Sequence, residues 1–352
     1  MTANATTTWN DILLRKDLSD QGSVPYTGGV WTNSPDIIPT GTNVTANPQA
    51  TFGTVAAYGQ DLGQATVPYQ PNYFYVRGKN LSAGSDSGTL SLYYCPANLF
   101  LFPSLWTNNQ MKTSSGKSTV DIGMEKPGDI GVTPEPFTFL PTSTEHHCLI
   151  ARVSTKANPN PLPSDGDFPD MAGLAKFIVN HPDYAWRNVT LVDKAVPTFT
   201  NSFLIDTTTF KPDTNQQYLI GISFKNLTPG ASLAFSAGTP IPSGPDQGKV
   251  IQLVQTSVSQ VSGSLGTSYL TIPGGYKTWV SYSYWAETPI QANWSVTFYA
   301  IQIVNPGSEL SKHALPLHDL GVPGLTSSHP LVQLADGMTQ GIIVGNVRTV
   351  GA

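Results

Sequence analysis

Reactive side chains are concentrated at Glu145-His146-His147-Cys148, where imidazole beside a thiol could prepare a nucleophile or supply zinc ligands. The surrounding HHCLIARV has the apolar, β-branched character of a strand, and consecutive strand residues point to opposite faces. His146 and His147 therefore cannot both ligate one metal, and no catalytic site is expected there. Oxygen chemistry is offered by Asp165, Asp167 and Asp170 in DGDFPD, whose spacing suits Ca²⁺ although the Glu that closes an EF-hand loop is missing. The same acids would equally serve as a turn that caps a following helix. Stacking chemistry is offered by Trp279, Tyr282, Tyr284 and Trp285, the densest aromatic group of the chain. Strand alternation puts Trp279, Ser281, Ser283 and Trp285 on one face and Val280, Tyr282 and Tyr284 on the other. One set then belongs to a core, and the other to an interface or to a carbohydrate whose apolar ring faces stack on the aromatic rings. Gly-x-Ser-x-Gly, His-Glu-x-x-His, P-loop and dinucleotide-turn motifs are missing. The expectation is a chain without catalytic residues and, calcium aside, without a cofactor. A secreted toxin or hydrolase with an unrecognised site is the enzymatic alternative.

These residues sit in a chain of 352 in which only 12% are charged, about half the usual share of ~25%. The 32 glycines and 29 prolines mark frequent turns, while 10% aromatic and 39% hydrophobic residues offer enough surface for burial to exclude disorder. A net charge of −5 gives no basic field for a phosphate backbone, which argues against nucleic acid as a partner. No run approaches the ~18 apolar residues of a membrane span. The opening MTANATTTWN lacks the basic and apolar regions of a Sec leader, which leaves localisation open, with an extracellular or particle-surface setting favoured.

Short strands separated by Gly, Pro, Asn and Ser are expected at 73–78, 89–95, 147–153, 188–193, 217–224, 248–254, 279–285 and 294–304. The one helical pattern, at 169–180, carries Met171, Leu174, Phe177 and Ile178 on one side, with Asp170 as its N-cap. Cys95 and Cys148 lie in two strands of the same half, either as a disulfide across a sandwich or as two buried thiols.

An internal echo organises these strands. YFYVRGKNLSAG, ending at Gly84, resembles QYLIGISFKNLTPG, ending at Gly230: an aromatic strand runs into Lys-Asn-Leu twice, with Lys79 and Lys225 146 residues apart. Each copy also has a late Trp-led strand, AWRNVTLVD or NWSVTFYAIQIV. The strand-to-Asn-Leu-Ser-Ala-Gly step at 73–84, the return strand HHCLIARV and the closing AWRNVTLVD resemble the bacterial cell-adhesion-related immunoglobulin-like domains. The resemblance covers residues 65–195 and, more faintly, 200–305. It implies an immunoglobulin-like sandwich used for adhesion or assembly and carries no catalytic residue.

The expected fold class is all-β: two tandem immunoglobulin-like β-sandwiches with extended N- and C-terminal arms and one short inserted helix. The sandwiches are placed at 51–195, with the helical insertion near 169–180, and at 196–305; the arms are 1–50 and 306–352. In the C-terminal arm Ile342, Ile343, Val344 and Val347 form a β-prone run without a local partner, so a neighbouring subunit or the chain's own sheet must cover its backbone. The functional expectation is a non-enzymatic structural or adhesion subunit that forms a homo-oligomer through sandwich surfaces and terminal arms. The alternative is a carbohydrate-binding module.

Overall fold

The computed structural model describes residues 7–350 except 27–30, 33, 65, 68, 97, 143–146, 169–170, 190–197, 211–213, 287–293, 306 and 335–338. Its contacts gather the chain into two compact units. The first comprises Met1–Pro96, Phe102–Ser164 and Phe177–Leu191, and the second Ala97–Leu101, Asp165–Lys176 and Val192–Ala352. Both are built from antiparallel sheets, so the chain is all-β.

The first unit begins with β1 (Thr7–Thr8), β2 (Ile12–Leu13), β3 (Ser23–Val24), β4 (Ile37–Pro39), β5 (Asn72–Asn80) and β6 (Asp86–Pro96). It continues with β7 (Lys112–Thr113), β8 (Val120–Met124), β9 (Ile130–Val132), β10 (Phe137–Phe139), β11 (His147–Thr155) and β12 (Tyr184–Val189). β1 pairs with β3 in a small two-stranded sheet; of the larger sheets, one runs β2-β5-β10-β7, with β4 and β9 also on β5, and the other runs β12-β11-β6-β8. Alternation makes the core between them: Phe74 and Val76 of β5, Leu90 and Leu92 of β6, and Leu149, Ala151 and Val153 of β11 close into one buried cluster. Cys95 and Cys148 are cross-strand partners in the β6–β11 register, both buried and with no disulfide between them. The helix (Met171–Asn180) buries Leu174 and Ile178, one turn apart. Its expected cap, Asp170, lies outside the described residues.

The described part of 1–50 is built into this unit rather than extended beyond it. β2 pairs with β5 at Ile12↔Asn80, β4 pairs with β5 at Ile37↔Val76, and Ile12, Leu14 and Ile37 enter the core. The physical reason is a buried ion cluster under two short helices, α1 (Pro48–Phe52) and α2 (Val55–Tyr58). Arg77, fully buried on β5, donates Nε to Asp36 at 2.9 Å. Its other two nitrogens donate to the carbonyls of Phe52, Ala57, Pro35 and Gln60. All five guanidinium N–H groups are thereby used. Arg15 grips the same carboxylate through Nε at 3.1 Å and Nη2 at 2.6 Å, and lies 3.3 Å from the Tyr58 ring centroid. Burial opposes its charge, but Asp36 outweighs that effect and holds the Arg15 pKa above its ordinary value.

Lys16, the next residue, donates Nζ to the carbonyls of His181 (2.8 Å) and Tyr184 (2.9 Å). Burial pulls its ammonium down to about 8, against Asp20 and Asp183, which favour the charge. An unfolded lysine titrates near ~10.4, so between the two values the unfolded chain binds more protons and the Lys16 contribution to stability rises with pH. The stability of the wild type relative to Lys16→Met is therefore expected to increase from pH 8 to 10, as read by urea unfolding. Groups common to both proteins cancel in that difference, and a flat difference would show that Lys16 keeps its charge without penalty.

The second unit contains β13 (Thr198–Asp206), β14 (Asn215–Lys225), β15 (Ser232–Ala237), β16 (Gln252–Ser257) and β17 (Gly263–Pro273). β18 (Lys277–Trp285), β19 (Ser295–Val304), β20 (Leu315–Pro316) and β21 (Gln340–Val350) follow. Its sheets are β13-β18-β15-β16 and β17-β14-β19-β21-β20. They meet through Phe203, Phe235 and Phe298, whose rings lie 4.4 and 4.7 Å apart about Phe298, and through a hydrogen bond between the Tyr282 and Thr349 hydroxyls. Ile342, Ile343, Val344 and Val347 are buried in β21, which pairs along its length with the chain's own β19. At the bulge in that ladder Gly345 is required, because a Cβ there would stand 2.0 Å from the Leu99 carbonyl oxygen.

The echo has a structural meaning. Lys79-Asn80-Leu81 leads from β5 into β6 of the facing sheet, and Lys225-Asn226-Leu227 leads from β14 into β15 of the facing sheet. The later Trp-led strands are not equivalent: β12 is an edge strand beside β11, whereas β19 lies between β14 and β21.

Candidate functional site

β18 alternates exposed and buried side chains along its length. Tyr282 and Tyr284 point inward with Val280, at most 2% exposed, and burial pushes both phenols above their usual pKa. Trp279 and Trp285 point outward and keep 48% and 37% of their surface in water, whereas Trp31, Trp106, Trp186 and Trp294 are 1–2% exposed. Register fills the space between the two outward rings with hydroxyls. Ser283 lies between Thr200 of β13 and Ala234 of β15, and Ser281 between Ser202 and Ser236. The Thr200 and Ser283 side-chain oxygens are 2.8 Å apart. The charged residues of these four strands are Asp206 and Lys277, joined to each other at 2.8 Å beyond Trp279. Burial raises the Asp206 pKa, but hydrogen bonds from Lys277 and Thr208 outweigh it and hold the carboxyl below its ordinary range.

The other candidates are dispersed. Asp165 and Asp167 lie on a short 3-10 turn, and Asp170 is outside the described residues. Among the described residues no group of three or more His, Cys, Asp and Glu side chains is placed to hold a metal. His147 opens β11 with its ring 5.0 Å from Phe139, and Cys148 beside it faces Cys95; His146 lies outside the described residues. Burial and the neighbouring Cys148 push the Cys95 thiol up. An open groove of about 820 Å³ at one end of the first unit is lined by Asp86, Met124, Glu125 and Lys156. Burial and nearby Asp11 raise the Asp86 pKa. Sequence reasoning missed Thr200, Ser202 and Ser236 beside the Trp row, since only the β13–β18–β15 register brings them there.

No model of a known protein family matches the chain, and no curated protein matches it. Among solved structures, the collagen-binding domain of the Erysipelothrix rhusiopathiae surface protein RspB is 10% identical, with 90% of this chain and 97% of that one covered, at a TM-score of 0.16. The calcium-binding domain CBD12 of CALX1.1 is 10% identical over 68% and 78%, at 0.17. A red sea bream transglutaminase is 11% identical over 68% of this chain, at 0.20, and the chain spans only 28% of that protein. The likeness to bacterial adhesin domains is therefore weak, and the fold class rests on the chain's own strands.

Proposed function

We propose that this chain is a non-enzymatic adhesion or structural subunit whose contact surface is the outer face of the β13-β18-β15-β16 sheet. The observation that supports this reading is the pair of outward indoles, Trp279 and Trp285, with Ser281, Ser283, Thr200, Ser202 and Ser236 between them and Leu204 and Ala234 beside them. An indole left half in water leaves much of its apolar surface unburied, and it is the side chain that gains most when a partner covers the rest. Adhesion or assembly is also what the sequence resemblance implies.

Self-association is the finer form of the proposal. Sedimentation of the 37.6 kDa chain is expected to show concentration-dependent association that the double variant Trp279→Ser, Trp285→Ser weakens at least tenfold while remaining cooperatively folded. A wild type that neither associates nor adheres to any surface, with the variant indistinguishable from it, would remove this face from the function.

A further inference from the structure

Resting on the reading of this face as a contact surface, we infer that its ligand is an uncharged polysaccharide chain lying along β18, with sugar rings stacked on Trp279 and Trp285 and its hydroxyls bonded to the Ser and Thr row between them. Three features of the face select that chemistry. The first is spacing: the two indoles are six residues apart on one side of one strand, which at about 3.3 Å per residue separates them by about 20 Å. That span is too long for a single small ligand and suits an extended oligomer of several rings.

The second feature is what fills the span. Ser281, Ser283, Thr200 and Ser236 each present an oxygen that both donates and accepts, so the row can match hydroxyls without fixing their direction. Aromatic faces at the ends and two-way hydroxyls between them complement a sugar polymer, which is apolar on its ring faces and polar at its edges. The third feature is charge. Asp206 and Lys277 neutralise one another at 2.8 Å, and the four strands carry no other charged residue, so the face offers nothing to a polyanion.

The test uses the full chain with insoluble cellulose, chitin and starch as neutral probes, and heparin-agarose as the anionic one. The wild type is expected to be depleted from solution by at least one neutral polysaccharide, with little change between low and high salt. Trp279→Ala and Trp285→Ala should each weaken binding about tenfold, within the range that loss of one stacking platform produces. Both variants should still unfold in a single cooperative thermal transition, since neither ring belongs to the buried core. A soluble hexasaccharide of the bound polymer should compete and the disaccharide should not, because only the longer one spans both rings. Binding to heparin alone, equal binding by the Trp variants, or full competition by the disaccharide would overturn the inference. No binding to any neutral probe, accompanied by Trp-dependent self-association, would overturn the ligand class and leave the contact surface standing. No binding and no Trp-dependent association would remove both.

Discussion

Asp36→Ala is expected to lower stability by about 3–5 kcal/mol, the usual cost of removing one partner from a buried ion pair. For a unit of this size that corresponds to a melting temperature lower by roughly 6–20 °C. The carboxylate accepts from Arg15 Nε and Nη2, from the Arg15 backbone N–H and from Arg77 Nε, so its removal leaves two guanidiniums buried without a counter-charge. Arg77 keeps its carbonyl partners and cannot move to solvent, because α1 and α2 close over it. Calorimetry on the purified variant checks the size of the effect. A shift of only 1–2 °C would mean that water reaches the cluster, and that the short helices pack less tightly over Arg77 than its full burial requires.

Deleting residues 340–352 is expected to abolish folding of the second unit. β21 contributes Ile342, Ile343, Val344 and Val347, each at most 6% exposed, and burial of such side chains stabilises by roughly 1.5–3 kcal/mol apiece. Together these match the whole stability of an ordinary domain, about 5–15 kcal/mol. The deletion also strips ladder partners from one side of β19, from Ser295 to Val304. Thermal scans and soluble yield read the outcome, which should be aggregation without a folded species. A truncated chain that stays folded and loses only its association would return the segment to the role of an assembly arm.

What could be read from the residues alone depended on how far the relevant information reaches along the chain. Alternation is local, so the division of β18 into an outward Trp279/Trp285 face and an inward Tyr282/Tyr284 face was legible. The register that sets Thr200 beside Ser283 joins positions far apart in sequence and leaves no periodic trace. The same limit hid the ion cluster: Arg15, Asp36 and Arg77 look like ordinary polar interruptions of apolar runs until β4 and β5 are paired. Residues 1–50 read as an arm because β2 and β4 are two and three residues long, too short to show a period of two. The run at 342–347 announced its need for a partner strand, but nothing in its composition tells β19 of the same chain from a strand of another.

The placement of β5 has a consequence for the order in which the chain is made. β2 and β4 hydrogen-bond only to β5 among the described strands, and Arg77 of β5 organises the carbonyls of residues 35, 52, 57 and 60. β2 and β4 therefore leave the ribosome before the strand they pair with, since β5 follows both in the chain. The N-terminal layer is synthesised first and docks afterwards, on a template that follows it.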